Sequence, residues 1–302
     1  MKINNVAEMA ERIGDYTKNK RLSFADEVEE YLLFRLENDY DTEADYDVIA
    51  NELPYFKTFN YTEYANCITI HPLQLELRVQ QMMDAYADNA EQKCDYVEFF
   101  KDKLLTANAN KYNEINTDKK IEPRKAIVVL PGSNKLKDRI DINKLKYCKS
   151  MHGKNVWFKP HPLTSHTLIG EMKDRLGEDV VLERRDDLYS LLAEADIVYT
   201  SVLSESAAYA VALGKQIEPI DIYNTTPQGS FNHINRFLFR EENPQEWINR
   251  TFNSPKSGII CPLIDEDWRE KVDAYLEYIH KVRDTYKNKY LYAPVKKKVV
   301  KQ

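Results

Sequence analysis

The sequence predicts an α/β protein in two unlike parts: a helix-rich first part, and a second part built on a parallel sheet covered by helices. Three observations predict it. Between residues 125 and 222, short apolar runs alternate with helical stretches of about ten residues, the signature of strand–helix–strand crossovers. Residues 1–120 carry helical apolar spacing with few strand-like runs. The polar, apolar-poor stretch "NEINTDKKIEPR" at 113–124 divides the two and reads as a linker. The expected organisation is therefore residues 1–120 as one domain, 121–262 as a second, and 263–302 as a terminal helix with a basic tail.

Taken in order, "LSFADEVEEYLLFRLE" (22–37) has the spacing of an amphipathic helix, while "ADYDVIANELPYF" is ambiguous. "ANCITIHPL" reads as a short strand before a turn, and residues 73–92 and 94–112 read as helices. In the second part the strands are "KAIVVL", "NVWFK", "DVVLE", "DIVYTS" and "QIEPIDI". Between them lie the helices "INKLKYCKSMHG", "SHTLIGEMKDRLG" (ending at Gly177), "DLYSLLAEA" and "SESAAYAVALGK". "PQEWINRTFNS" and "DEDWREKVDAYLEYIHKVRDTYKN" are terminal helices before the basic "PVKKKVVKQ".

Composition narrows the function. The chain has 302 residues, 43% apolar and 30% charged, which suits a globular protein with real cores. No run approaches the roughly 18 apolar residues of a membrane span, and "MKINNVAEMAERIG" lacks the apolar centre of a secretory signal. Cys67, Cys94, Cys148 and Cys261 are scattered without metal-type spacing, so free thiols and a cytoplasmic setting are expected. Residues 1–120 hold 24 acids against 14 Lys and Arg, whereas residues 121–302 hold 25 against 29. The second part is thus the better host for an anion, and the first a poor polyanion surface. With eight glycines and neither G-x-G-x-x-G nor G-x-x-x-x-G-K-[ST], a dinucleotide fingerprint and a P-loop are disfavoured.

Three strand-end loops carry the candidate chemistry, because ligands of parallel sheets sit beyond the C-terminal strand ends. Pro131-Gly132-Ser133-Asn134 offers backbone N–H groups beside a glycine, although alone it reads as a tight turn. In Lys159-Pro160-His161-Pro162, two prolines stiffen the backbone around one imidazole. Thr164 and Ser165 follow at a helix start, where N–H groups and the helix dipole favour phosphate. A histidine there can donate to phosphate and assist its departure. In "YTSVLSESAAYAVALGK", Ser201, Ser204, Glu205 and Ala208 share one helical face. Ser201 can cap that helix, and Ser204 and Glu205 can hydrogen-bond a phosphate or a ribose. The earlier "IHPL" places His71 in a phrase like that of His161. "DRID" and "IDED" fit helix starts as well as they fit metal-binding carboxylates.

"FKPHP" at 158–162, followed some forty residues later by "TSVLSESAAYAVALGK", resembles the donor-binding half of GT-B glycosyltransferases. It is most similar to the group of bacterial sialyltransferases, polysialyltransferases and capsule Kdo transferases, with the teichoic-acid glycerophosphotransferases nearby. The likeness covers roughly residues 125–225. It implies two Rossmann-like halves facing a cleft, and transfer of a sugar from a CMP- or UDP-sugar to an acceptor hydroxyl without a metal or other cofactor. It also implies His161 at the leaving phosphate, with Ser201 and Ser204 at the nucleotide; the strand-end loops add Gly132, Ser133, Lys159, Thr164, Ser165 and Glu205 as donor-site candidates. The acidic, glycine-ended phrase that carries the base in those families has no counterpart here, since Gly14 is the only glycine before residue 120. His71 is the candidate in its place, with Asp26 and Glu27 behind it. A glycan is the expected acceptor. The Lys-, Asn- and Tyr-rich, glycine-poor composition also resembles proteins of large bacteriophages, which makes hydroxymethylated duplex DNA the alternative acceptor. A nucleotide-sugar epimerase and a non-catalytic GT-B module are further alternatives.

Overall fold

The computed structural model describes residues 22, 24–39, 48–50, 59–72, 75–106, 115, 117–131, 142–221 and 231–286. The Gly132–Ser133 turn and the basic tail lie outside them. In the second part, β4 (Ala126–Val129), β5 (Val156–Lys159), β6 (Ile197–Thr200) and β7 (Gln216–Pro219) form an all-parallel sheet in the order β5-β4-β6-β7. The uninterrupted apolar run of β4 follows from burial on both faces. Ala126 and Val128 point into one core, with Leu145 and Cys148 of α4 (Ile142–His152) and Ile169 and Met172 of α5 (His166–Leu176). Ile127 and Val129 point into the other, beneath α6 (Leu188–Glu194) and α7 (Ser206–Ala212). Every residue of α7 is buried. Its alanines let the helix lie close to the sheet while α3 (Tyr96–Leu105) packs on its other side.

One strand of the expected five is absent as such. "DVVLE" forms a short 3-10 turn at Glu178–Val180, and only Val181 bridges to Phe158. Its apolar residues are buried beside β5, but the tight turn before them leaves too little extended chain for a ladder.

The first part differs more. β1 (Val48–Ala50), β2 (Phe59–Tyr64) and β3 (Cys67–Pro72) are joined by β8 (Ile259–Ile260) from near the other end of the chain, in the order β1-β2-β3-β8. Only β1 and β2 run parallel; β2–β3 and β3–β8 are antiparallel. The described strands of this part thus form a mixed sheet, where the resemblance implied a helix-rich, Rossmann-like half. The cause is local: Ala65 and Asn66, at φ 49° and 64°, make a two-residue primed turn, which can only return the chain antiparallel.

The remaining elements are α1 (Ala25–Asp39), α2 (Leu75–Ala87), α8 (Asn232–Leu238), α9 (Pro244–Asn253) and α10 (Trp268–Tyr286). α10 packs on α1 and β8, and α2 packs on α8, α9 and the turn at Pro255–Ser257. Residues 231–286 therefore sit on residues 24–106. α8 and α9 also pack on α7, so residues 231–262, expected with the parallel sheet, touch both parts. One continuous core runs from Phe24 and Val28 through Tyr64, Phe100 and Tyr209 to Trp247 and Leu276. All four cysteines are free thiols. No helix among the described residues is long and apolar enough to cross a membrane.

Gly258 fastens the late strand to the early sheet. Its carbonyl accepts from the Ile70 N–H at 2.8 Å, and its φ of +64° is one that side chains rarely adopt. A Cβ there would lie 2.2 Å from the Ile70 carbonyl oxygen and 2.8 Å from the Tyr275 ring. Gly258→Ala is expected to destabilise the protein by on the order of 3 kcal/mol, from strain and overlap together. Urea unfolding of the two proteins checks this, and an unchanged midpoint would contradict it.

Candidate functional site

In the order β5-β4-β6-β7 the chain passes first to one side of β4 and then to the other. That switch point is where an open parallel sheet leaves a crevice at its C-terminal edge. A cleft lies there. Val129 and Leu130 leave β4 into it, Lys159 to Pro162 leave β5, and Leu188 and Tyr189 of α6 and Tyr209 of α7 add an apolar and aromatic wall.

The turn around His161 explains the two prolines. The Thr164 N–H donates to the His161 carbonyl at 2.8 Å, which makes His161–Thr164 a β-turn with Pro162 at its favoured second position. The Leu163 N–H donates to His161 Nδ1 at 3.1 Å. Nδ1 is thereby held as an acceptor, so the neutral ring carries its proton on Nε2. The imidazole is half-buried and lines the cleft.

Lys159 is 2% exposed. Its Nζ donates to the Pro160 and Arg184 carbonyls at 2.7 and 2.8 Å. Burial lowers its pKa to about 7, against an upward pull from Asp186 and Asp187 and a downward push from Arg185. Asp186 lines the same cleft, but both its oxygens accept from Lys119 Nζ, at 2.8 and 2.9 Å, and one also takes the Glu183 N–H.

The third loop is held by its own hydroxyls. Ser204 Oγ accepts from the Ser206 N–H at 3.3 Å and shares a 2.8 Å hydrogen bond with Ser206 Oγ, which in turn meets Thr200 Oγ1 at 2.6 Å. Glu205 accepts from the Ala65 N–H at 3.2 Å, and Asn66 Nδ2 donates to Tyr209 Oη at 2.7 Å. The tip of the β2–β3 hairpin thus steadies one wall of the cleft. Asn235 completes the clamp: its amide donates to the Val202 and Ser204 carbonyls at 2.9 and 2.8 Å and accepts from Tyr64 Oη at 2.5 Å.

Of the residues nominated from sequence, the structure brings Lys159, His161, Ser204 and Glu205 together on the cleft. Gly132 and Ser133 lie outside the described residues. Six others are placed elsewhere. Ser165 caps α5, its Oγ accepting from the Leu168 N–H at 3.4 Å. Thr164 is buried, its hydroxyl without a hydrogen-bond partner among the described residues. Neither lines the cleft, so the start of α5 is closed by its own cap. Ser201 is 1% exposed and donates to Asp221, while its oxygen accepts the Leu203 N–H at 3.1 Å. It braces the loop from behind.

His71 is fully buried in β3, its Nδ1–H donating to the Pro72 carbonyl at 3.1 Å and its ring 4.9 Å from that of His233. Burial, helped by Arg78, holds its pKa well below the ordinary value. It does not reach the cleft, because β3 is covered on both faces. Asp26 and Glu27 lie exposed on α1, where Glu27 pairs with Arg269 at 2.6 Å.

Asp186, Tyr189 and Tyr209 also line the cleft and were not legible as doing so. Asp186 stands in a charged phrase before a helix, where acids are commonplace, and the two tyrosines meet edge to face at 5.4 Å only through the fold. Among the described residues, no three His, Cys, Asp or Glu side chains form a metal-binding group. Comparison with protein-family models and with curated protein sequences finds no match for this chain.

Asn235→Ala strands two carbonyls and a phenol, and is expected to cost about 2–4 kcal/mol of stability. Chemical denaturation measures it. A loss below half a kilocalorie would mean that the clamp is dispensable. For Lys159 the sign follows from linkage. Its folded pKa is lowered, so the unfolded chain binds one more proton between about 7 and the ordinary lysine value of 10.5. Stability rises with pH through that window by about 1.4 kcal/mol per unit, and is lost again as pH falls towards 7. Lys159→Met removes this slope. Unfolding free energies of both proteins at pH 7, 8 and 9 should therefore diverge, with the wild type gaining on the variant at each step. Parallel curves would refute the shifted amine.

Proposed function

We propose that this protein is a glycosyltransferase of GT-B type that moves a sugar from a nucleotide-activated donor to an acceptor hydroxyl. One observation carries the reading: His161 stands on the cleft at the switch point of the parallel sheet, its Nδ1 tied to the Leu163 N–H so that Nε2 bears the proton. A ring so held can donate to a departing phosphate without first turning, and preorganised donors of this kind are what stabilise developing negative charge.

Lys159 adds an amine on the same wall, and Ser204 and Glu205 supply a hydroxyl and a carboxylate suited to phosphate and ribose. Leu188, Tyr189 and Tyr209 give an apolar and aromatic surface against which a base can rest. The mixed sheet of the first part departs from the two-Rossmann plan, so the likeness to GT-B enzymes is to the donor half. In this reading the acceptor is a glycan. The surplus of Lys and Arg in residues 121–302 keeps hydroxymethylated duplex DNA as the second candidate.

The test offers UDP- and CMP-sugars with glycan acceptors and with hydroxymethylated duplex DNA, to wild type and to His161→Ala. Loss of the histidine should lower turnover roughly 10²–10⁴-fold. Its thermal midpoint should stay within about 2 °C, as for a partly exposed side chain outside the core. Full turnover by the variant would sink the assignment. Product formed without any acceptor would favour an epimerase, and failure of every nucleotide to bind would favour a non-catalytic module.

A further inference from the structure

Lys159 combines three properties that do not belong together in an ordinary structural lysine. It is buried, it lines the cleft, and among the described residues it makes no ion pair. The acid that acts on it most strongly, Asp186, has both oxygens engaged by Lys119. What Nζ does have is two backbone carbonyls, those of Pro160 and Arg184. Two acceptors match the two N–H groups of a neutral amine. An ammonium has a third N–H to place, and an uncompensated buried charge is costly.

We propose that the cleft binds its anion together with a proton, the Lys159 amine taking one up from solvent as a phosphate group arrives and giving it back when the anion leaves. This rests on the reading of the cleft as a nucleotide-phosphate site and adds how that site is regulated. The step is –NH2 + H⁺ → –NH3⁺. The incoming proton takes the lone pair, the two existing hydrogen bonds stay, and the new N–H donates to the anion, whose negative charge compensates the ammonium. No other bond changes. Burial favours the neutral form in the empty cleft, and an anion within hydrogen-bond reach reverses the preference.

The charged groups around the amine are Asp186, Asp187 and Arg185 beside it, Lys119 across Asp186, His161 two residues on, and Glu205 on the facing wall. Apart from Lys159 itself, only His161 among these ordinarily titrates near neutrality, so the test separates the two.

Calorimetry of the whole protein provides it. The probes are sodium sulfate, UDP-glucose and CMP-N-acetylneuraminate, whose anionic groups do not titrate between pH 6.5 and 9. Each titration is run in two buffers of different ionisation enthalpy. Wild type should take up close to one proton per anion near pH 8, and affinity should fall about tenfold per pH unit above neutrality. Lys159→Arg, with a fixed charge, should bind with no proton uptake and little pH dependence. Lys159→Met should lose roughly tenfold or more at pH 7. A pH-independent affinity in the wild type, uptake that persists in Lys159→Arg, or no anion bound at all overturns the proposal. Nucleotide-sugar binding without proton uptake overturns it while leaving the glycosyltransferase reading standing. Sulfate bound with uptake, and no nucleotide bound, sustains it and removes that reading instead.

Discussion

Asn235 sits where three segments distant in sequence meet, and the shape of the cleft depends on the hydrogen bonds it makes. Its amide serves the Val202 and Ser204 carbonyls of the loop after β6, and its carbonyl oxygen serves the phenol of Tyr64 at the end of β2. All three partners are buried or half-buried, and a buried polar group left unpaired costs more than a hydrogen bond gains. The network therefore acts as a condition on assembly. The hairpin tip, the α8 helix and the strand-end loop can bury their apolar sides only in the one arrangement that also satisfies these atoms. Ala65 and Asn66 then fall against Glu205 and Tyr209, so the first part of the chain helps shape a cleft whose walls come mainly from the second.

The same economy operates at the β5 corner. A strand that ends at a parallel sheet's edge must turn back towards a helix, and Pro162 makes that turn with the donor it lacks not being needed. The turn spends His161 Nδ1 on the Leu163 N–H, which orients the ring, and it leaves the Pro160 carbonyl pointing where Lys159 can reach it. Ring orientation and amine solvation are thus two results of one backbone geometry. Arg184 contributes the other carbonyl, so the segment between α5 and α6 is part of the site although it supplies few side chains to the cleft.

Periodicity and turn chemistry carried the reading of the second part a long way. β4, β5, β6 and β7 and the four helices between them were all legible, because each is a local pattern: apolar runs bounded by Gly, Pro or a capping residue. That Lys159, His161, Ser204 and Glu205 would line one cleft was legible for the same reason, since strand ends of a parallel sheet converge whatever their side chains. Ser201, Thr164 and Ser165 show the limit of that inference. They occupy the right loops, but a serine beside a helix start satisfies the nearest N–H or carboxylate first. The two-residue β8, with Gly258 before it, had no pattern long enough to detect, and β2 was hidden in a polar-aromatic stretch.

By itself the sequence determined the local alphabet of this protein: where strands alternate with helices, where the chain must turn, and which imidazole is held between prolines. Only the tertiary structure decided what those pieces do to one another. It packed residues 231–286 against the first part as well as against α7, turned His71 into a buried neighbour of His233 rather than a wall of the cleft, and gave Lys159 two carbonyl partners. The reason is that turns, caps and periodicity act over a few residues. Burial, long-range hydrogen bonding and the ionisation they control depend on partners such as Gly258 and Ile70, or Tyr64 and Asn235, that lie far apart along the chain.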